Sequence, residues 1–190
     1  MAPVLFDGHC MSATTGTIWT IGHSTRPWEE FVELLKANGV VLLVDIRSMP
    51  GSRRYPHFDR EHLEKFLPES GIKYLHMIDL GGRRKPQKNS PNVAWRHPAF
   101  RGYADYMQTD AFQKAVEQLE QLAADTPTAY MCAEAPWWKC HRALVSDYLK
   151  ARGWEVLHIM EKGKVTPHPY TRAARTAQGE LFYDDVRPSQ

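Results

Sequence analysis

The sequence predicts an α/β domain: a three-layer fold with a mainly parallel central sheet between helices. Two observations carry this. Short apolar runs alternate with segments whose apolar residues recur at helical spacing. The run Val40-Val-Leu-Leu-Val-Asp-Ile46 is apolar on both faces, as suits a strand buried in the middle of a parallel sheet. A chain of 190 residues with 43% apolar and 24% charged residues is ample for one such domain and its core. We expect a flexible extension over 1–16, the single α/β domain over 17–170 and a tail over 171–190.

In chain order, strands are expected at about 17–21, 40–46, 72–76, 128–132 and 154–159. After the first, Gly22-His-Ser-Thr25 turns into a helix capped by Thr25, with Pro27 in its first turn. Phe31, Val32, Leu34 and Leu35 form its apolar face, and Asn38-Gly39 stops it. Pro and Gly make 47–57 a loop, followed by a helix from Asp59 to Leu67. From Leu80 to Ala104 there is no acidic residue, while Arg83, Arg84, Lys85, Lys88, Arg96 and Arg101 are basic; a loop of that length is usually functional or disordered. A brief helix is expected from Tyr103 to Met107, and a longer one from Thr109, where Asp110 and Gln113 resemble a capping box. Its buried stripe is Phe112, Ala115, Val116, Leu119 and Leu122. A helix over Ala143–Leu149 follows the fourth strand. His158, His168 and Tyr170 are assigned to packing and the tail, with a lid formed by His168-Pro-Tyr170 as the alternative.

No apolar run exceeds Val40–Val44, which is far too short to cross a bilayer. Cys10, Cys132 and Cys140 are too few for a disulfide scaffold, and no signal peptide is recognisable, so reduced thiols in the cytoplasm are expected. A net charge of +2 does not by itself argue for nucleic acid; its distribution does more.

The densest chemistry lies in Cys132-Ala-Glu-Ala-Pro-Trp-Trp-Lys-Cys-His-Arg142. This window leads from the carboxyl end of a strand to the amino end of a helix, where free N–H groups favour an anion. Cys140, beside Lys139, His141 and Arg142, is placed to ionise. The plainer reading is that both cysteines are small buried hydrophobes and the charges serve the helix end. In parallel sheets the ligand site lies outside the carboxyl ends of the strands. That rule brings Gly22-His23-Ser24, Asp45 with Arg47, and Cys132 with Glu134 to one rim.

Thr20-Ile-Gly-His-Ser24, Asp45-Ile-Arg47 with Pro50 and Ser52-Arg53, Leu80-Gly-Gly-Arg-Arg-Lys-Pro86, Phe100-Arg-Gly-Tyr-Ala-Asp105, and Cys132-Ala-Glu134 with Cys140-His-Arg142 occur in that order. In these motifs the chain, from about Thr17 to Tyr170, resembles the family called domain of unknown function 488. The resemblance implies a compact α/β fold with a polar site built from these motifs, and it implies no particular reaction.

Four chemistries are open to these residues. The first is a cysteine-dependent hydrolase or transferase acting on a phosphate-bearing or otherwise anionic substrate, such as a nucleotide or nucleic acid. Arg47, Arg53, Arg83 and Arg142 would bind the anion with Ser24 and Trp137. Cys132 or Cys140 would be the nucleophile, and His23, Asp45, Glu134 and His141 would move or orient protons. Arg142 is too far along the chain from Cys132, and the loop too poor in glycine, for a phosphatase-type cradle. The second is a divalent metal on Cys132, Cys140 and His141, although no cofactor is expected. The third is a non-catalytic nucleic-acid module using the basic loop and its Trp95, His97 and Phe100. The fourth is a redox pair of Cys132 and Cys140.

Overall fold

The computed structural model describes residues 16–51, 54–177 and 180–185. Its main sheet has six strands: β1 (Thr17–Gly22), β2 (Leu42–Asp45), β3 (Lys73–His76), β4 (Thr128–Cys132), β5 (Glu155–Glu161) and β6 (Lys164–Pro167). They lie in the order β3-β2-β4-β1-β5-β6, parallel except for the β5–β6 hairpin. The mixed α/β architecture with a mainly parallel sheet is thus as expected. The antiparallel edge strand β6 and a small hairpin of β7 (Arg175–Ala177) and β8 (Glu180–Phe182) are additions. These three short strands mix polar and apolar residues and give no clear period.

Alternation along the strands sorts the core into two halves. Ile21, Leu43, Ala129 and Met131 face α1 (Trp28–Ala37) and α2 (Arg60–Glu69). Ile18, Leu42, Val44 and Tyr130 face α3 (Pro98–Tyr106), α4 (Asp110–Asp125) and α5 (Arg142–Ala151). The chain leaves β1 for α1 on one face and leaves β4 for α5 on the other, although β1 and β4 are neighbours. The crevice between their carboxyl ends is therefore the switch point of the sheet, the place where such folds bind ligands.

Helix starts differ from expectation in three places. Helix α3 begins at Pro98, capped by His97, five residues before the expected Tyr103. Helix α1 begins after Pro27, not at a Thr25 cap, because proline presets the first turn. Helix α4 is capped by Thr109, whose Oγ1 accepts the N–H of Phe112, while Gln113 reaches back to the carbonyl of Met107. The segment from 171 to 185, expected as a tail, packs on the domain wherever it is described. Asp147 of α5 accepts hydrogen bonds from Thr171 and Tyr183, and Tyr183 is buried. Among the described residues no helix is long and apolar enough to cross a membrane.

Candidate functional site at the strand ends

Gly22 and Cys132 stand opposite each other in the β1–β4 register, at the mouth of the switch-point crevice. The chain beyond β4 doubles back over β1, where His23 N–H donates to Cys132 O (3.1 Å) and Ser24 N–H to Ala133 O (2.8 Å). A Cβ on Gly22 would lie 1.8 Å from the carbonyl oxygen of Glu134, so this closure requires glycine.

Cys132 has the parity of Tyr130 and points to the α5 face. There it meets the start of α5. The Sγ atoms of Cys132 and Cys140 and Nδ1 of His141 lie within 4.8 Å of one another, with Nδ1 3.8 Å from Cys132 and 3.5 Å from Cys140. His141 Nε2 is 3.0 Å from the carbonyl oxygen of Ile46. A carbonyl can only accept, so Nε2 carries a hydrogen, and Nδ1 faces both sulfurs. Tyr103 packs on the same imidazole, and a Cβ on Gly82 would press 2.9 Å from its Nδ1.

Arg142 is 1% exposed. Its Nη1 donates to Thr20 Oγ1 (2.8 Å) and its Nη2 to the carbonyls of Glu134 and Ala135, while Nε has no partner. Among the described residues no carboxylate pairs with this guanidinium. The backbone N–H of Arg142 points at Cys140 Sγ (3.5 Å). Burial pushes the Cys140 thiol up, but the hydrogen bond from Cys132 and the charge and N–H groups of Arg142 more than offset it, and its pKa falls to about 7. Cys132, sharing its proton with Cys140 and buried, is held well above the ordinary thiol range.

His23 and Asp45 occupy the same rim but the opposite face. Arg47 forks onto Asp45 through Nε (2.9 Å) and Nη2 (2.6 Å), and Tyr74 OH adds a third bond at 2.8 Å. Arg47 Nη2 also reaches Phe58 O (2.8 Å), and Nη1 donates to His23 Nε2 (3.2 Å). His23 Nδ1 then donates to Ser24 O (3.0 Å), and the ring stacks on Phe58. Burial and the Arg47 charge lower the His23 pKa to about 4, so the ring is neutral. Ser24 itself adopts φ 50°, in the left-handed region.

Of the expected anion ligands, Arg47 is neutralised by Asp45 and Arg142 is occupied by protein oxygens. Arg53 lies outside the described residues. Arg83 is exposed and touches only Met49 Sδ (3.9 Å), from a φ of 60°. The side chain of Glu134 is exposed, and only its carbonyl joins the cluster.

Residues 27–149, more than half of the chain, match the family model described as domain of unknown function DUF488. The chain belongs to that family. No curated protein and no solved structure matches it. The DUF488 match takes in Asp45–Arg47, the basic loop and both cysteines, while His23 lies just before it.

Within this DUF488 chain, the basic loop is anchored through the Phe100–Asp105 motif. A Cβ on Gly102 would lie 2.3 Å from Arg84 O, and Tyr103 OH donates to Leu80 O (2.7 Å). The Asp105 carboxylate accepts from Gln87 N–H (2.7 Å), Ser90 Oγ and Asn92 Nδ2 (2.8 Å).

His158 and His168, expected to serve packing and the tail, are buried in one array. Asp147 Oδ1 accepts from His168 Nε2 (3.0 Å), and His168 Nδ1 accepts from His158 Nε2 (2.9 Å). Trp137 lies flat on His158, with ring centroids 4.6 Å apart and planes 1° apart. Trp137 also meets His168 edge-on, with ring centroids 4.9 Å apart. What the sequence reading missed was their partner Asp147, an acidic residue at an inward position of α5, three residues after Leu144.

Proposed function

We propose that the chain is a cysteine-dependent hydrolase or transferase acting on an anionic substrate, with Cys140 as nucleophile. The reading rests on one observation: Arg142 is buried without a carboxylate partner among the described residues, and Cys140 is the group beside it that can supply the opposite charge. A buried, uncompensated guanidinium is costly, whereas an Arg142–thiolate pair is neutral overall. A divalent metal held by two thiolates and His141 would itself be neutral and would leave the Arg142 charge unbalanced. Charge balance therefore favours the thiolate over the metal, although Cys132, Cys140 and His141 are the residues that could hold one.

In this scheme the Cys140 thiolate bonds to an electrophilic centre as the leaving group departs. His141 Nδ1 takes a proton from the water or acceptor that releases the adduct. Cys132 remains a thiol and donates to Cys140. Ile46 O holds His141 in place, while the Asp45–Arg47–His23 clamp serves the opposite face of the rim. Both thiols are nearly closed off, Cys140 at 4% exposure, so the 133–139 loop has to shift to admit substrate. Arg83, exposed beside that rim, is the arginine left to meet the anion, with Arg53 as its proposed companion. The free thiols of Cys132 and Cys140 are in keeping with a reducing compartment such as the cytoplasm.

The test is alkylation of the full chain by iodoacetamide across pH, with each cysteine followed by peptide mass spectrometry. Cys140 should react first, with a midpoint at about 7. A midpoint at the ordinary thiol value of about 8.5, or stoichiometric zinc in the purified protein, would overturn the reading. Turnover of a panel of phosphate-bearing substrates should vanish in Cys140→Ser; turnover that survives the change excludes Cys140 as nucleophile.

A further inference from the structure

The loop that joins the two cysteines also forms the wall of a groove. Trp137 and Trp138 stand on one side, Trp95 and Arg96 on another, and Tyr170 and Arg172 on a third, around a volume of about 950 Å³. That is at the upper end for a ligand site. Trp138 is 53% exposed and Tyr170 37%, an uncommon display of ring surface beside a cavity. Trp137 is backed by His158, and Trp95 by Phe100 at 4.8 Å, so these walls are held in place.

Three arginines, Arg96, Arg172 and Arg175, and two acids, Asp184 and Asp185, line the groove. The six cations between Leu80 and Ala104 form no ion pair with any carboxylate among the described residues. Arg84 lies on the Tyr106 ring and Arg101 donates to Trp95 O, which leaves Arg83, Lys85, Lys88 and Arg96 exposed. In the groove itself Arg175 is paired with Asp184, and Asp185 is the remaining acid. Arg96 and Arg172 have no carboxylate partner among the described residues.

We infer that this groove binds single-stranded nucleic acid, with bases stacked on Trp138 and Tyr170 and phosphates met by Arg96 and Arg172. Aromatic rings beside cations are the means by which proteins hold single strands, because every base offers a face for stacking. A duplex hides those faces, so the groove discriminates against it. The inference deepens the proposed function by naming the class of its anionic ligand, and places that ligand against the loop carrying Cys140; binding itself does not require the thiol.

The experiment is fluorescence anisotropy of the full chain with labelled oligo(dT) and oligo(U) of about a dozen nucleotides. The duplex of equal length is the comparison. Binding should favour the single strands and weaken steeply from about 50 to 200 mM salt. Trp138→Ala and Tyr170→Ala, both at exposed positions, should each weaken it about tenfold, and Arg96→Ala with Arg172→Ala should flatten the salt dependence. Absence of binding at low salt, equal affinity for duplex, or unchanged affinity in the Trp138/Tyr170 double variant would overturn the inference. Cys140 alkylation in Tyr170→Ala, a change outside the 133–139 loop, should keep its wild-type profile, so failure of the groove and failure of the thiolate reading are read separately.

Discussion

A guanidinium closed off from water needs a partner, and at Arg142 two carbonyls and the Thr20 hydroxyl supply dipoles but no charge. Removing that cation should therefore be felt at Cys140 before anywhere else. Arg142→Met keeps the length of the side chain and should raise the alkylation midpoint of Cys140 by about one unit, towards the ordinary thiol value. Arg142→Lys retains the charge and should hold the midpoint near about 7. If both variants gave the wild-type midpoint, the counter-charge would lie elsewhere. The sequence named Cys140 and its basic neighbours correctly as a cluster, because helix starts have a known geometry. It could not show that Arg142 turns inward to Thr20, a contact 122 positions away. It also treated Arg47 as a free cation, when the Asp45-Ile-Arg47 spacing lets the guanidinium fold back onto a carboxylate two residues earlier.

Among the elements, the stretch from Leu80 to Ser90 has almost no regular structure of its own beyond a short 3-10 turn at Ile78–Leu80, yet it is held against α3. The holding group is Asp105, a buried carboxylate in the last turn of that helix. With its acceptors removed, the N–H of Gln87 and the Asn92 amide lose their partners, at about 1–3 kcal/mol for each group left unpaired. Asp105→Ala should leave α3 in place and free the loop. Its exposed basic side chains make trypsin the natural probe: cleavage after Arg83 and Lys88, neither followed by proline, should be markedly faster in the variant under conditions where both proteins stay folded. Equal cleavage rates would mean that the loop is held by Gly102 and Tyr103 alone. The order of strands and helices was legible from periodicity because each has a face to bury. The path of this loop was not, since it depends on a glycine that admits backbone at 2.3 Å and on a carboxylate fifteen or more residues away.

Across the whole molecule, strand alternation divides what the rim rule had gathered. His23, Asp45 and Arg47 serve the α1–α2 face, Cys132, Cys140 and His141 the α5 face, and a side-chain hydrogen bond from His141 Nε2 to Ile46 O joins the backbone bond of His23 to Cys132 in tying them. Residue order shows which strand ends meet; only parity, counted from the core residues, shows the face. The division predicts two separable responses to pH. On the His23 face, the folded pKa lies below the unfolded one, at about 4 against 6.5, because burial and Arg47 disfavour the cation. Unfolded chains therefore take up a proton below 6.5 that the folded chain refuses until about 4. The contribution is fully present above pH 6.5 and is lost as pH falls towards 4. Between about pH 7 and 5 it amounts to about 2 kcal/mol of unfolding free energy. His23→Gln keeps an acceptor for Arg47 and should flatten the urea-measured stability over that interval by this amount relative to wild type, with no change in the Cys140 alkylation midpoint. A variant whose pH slope matched wild type would show that His23 is protonated in the fold. A variant that moved the thiol midpoint as well would show that the two faces act as one site, and that the Arg47 clamp reaches the sulfur through His141.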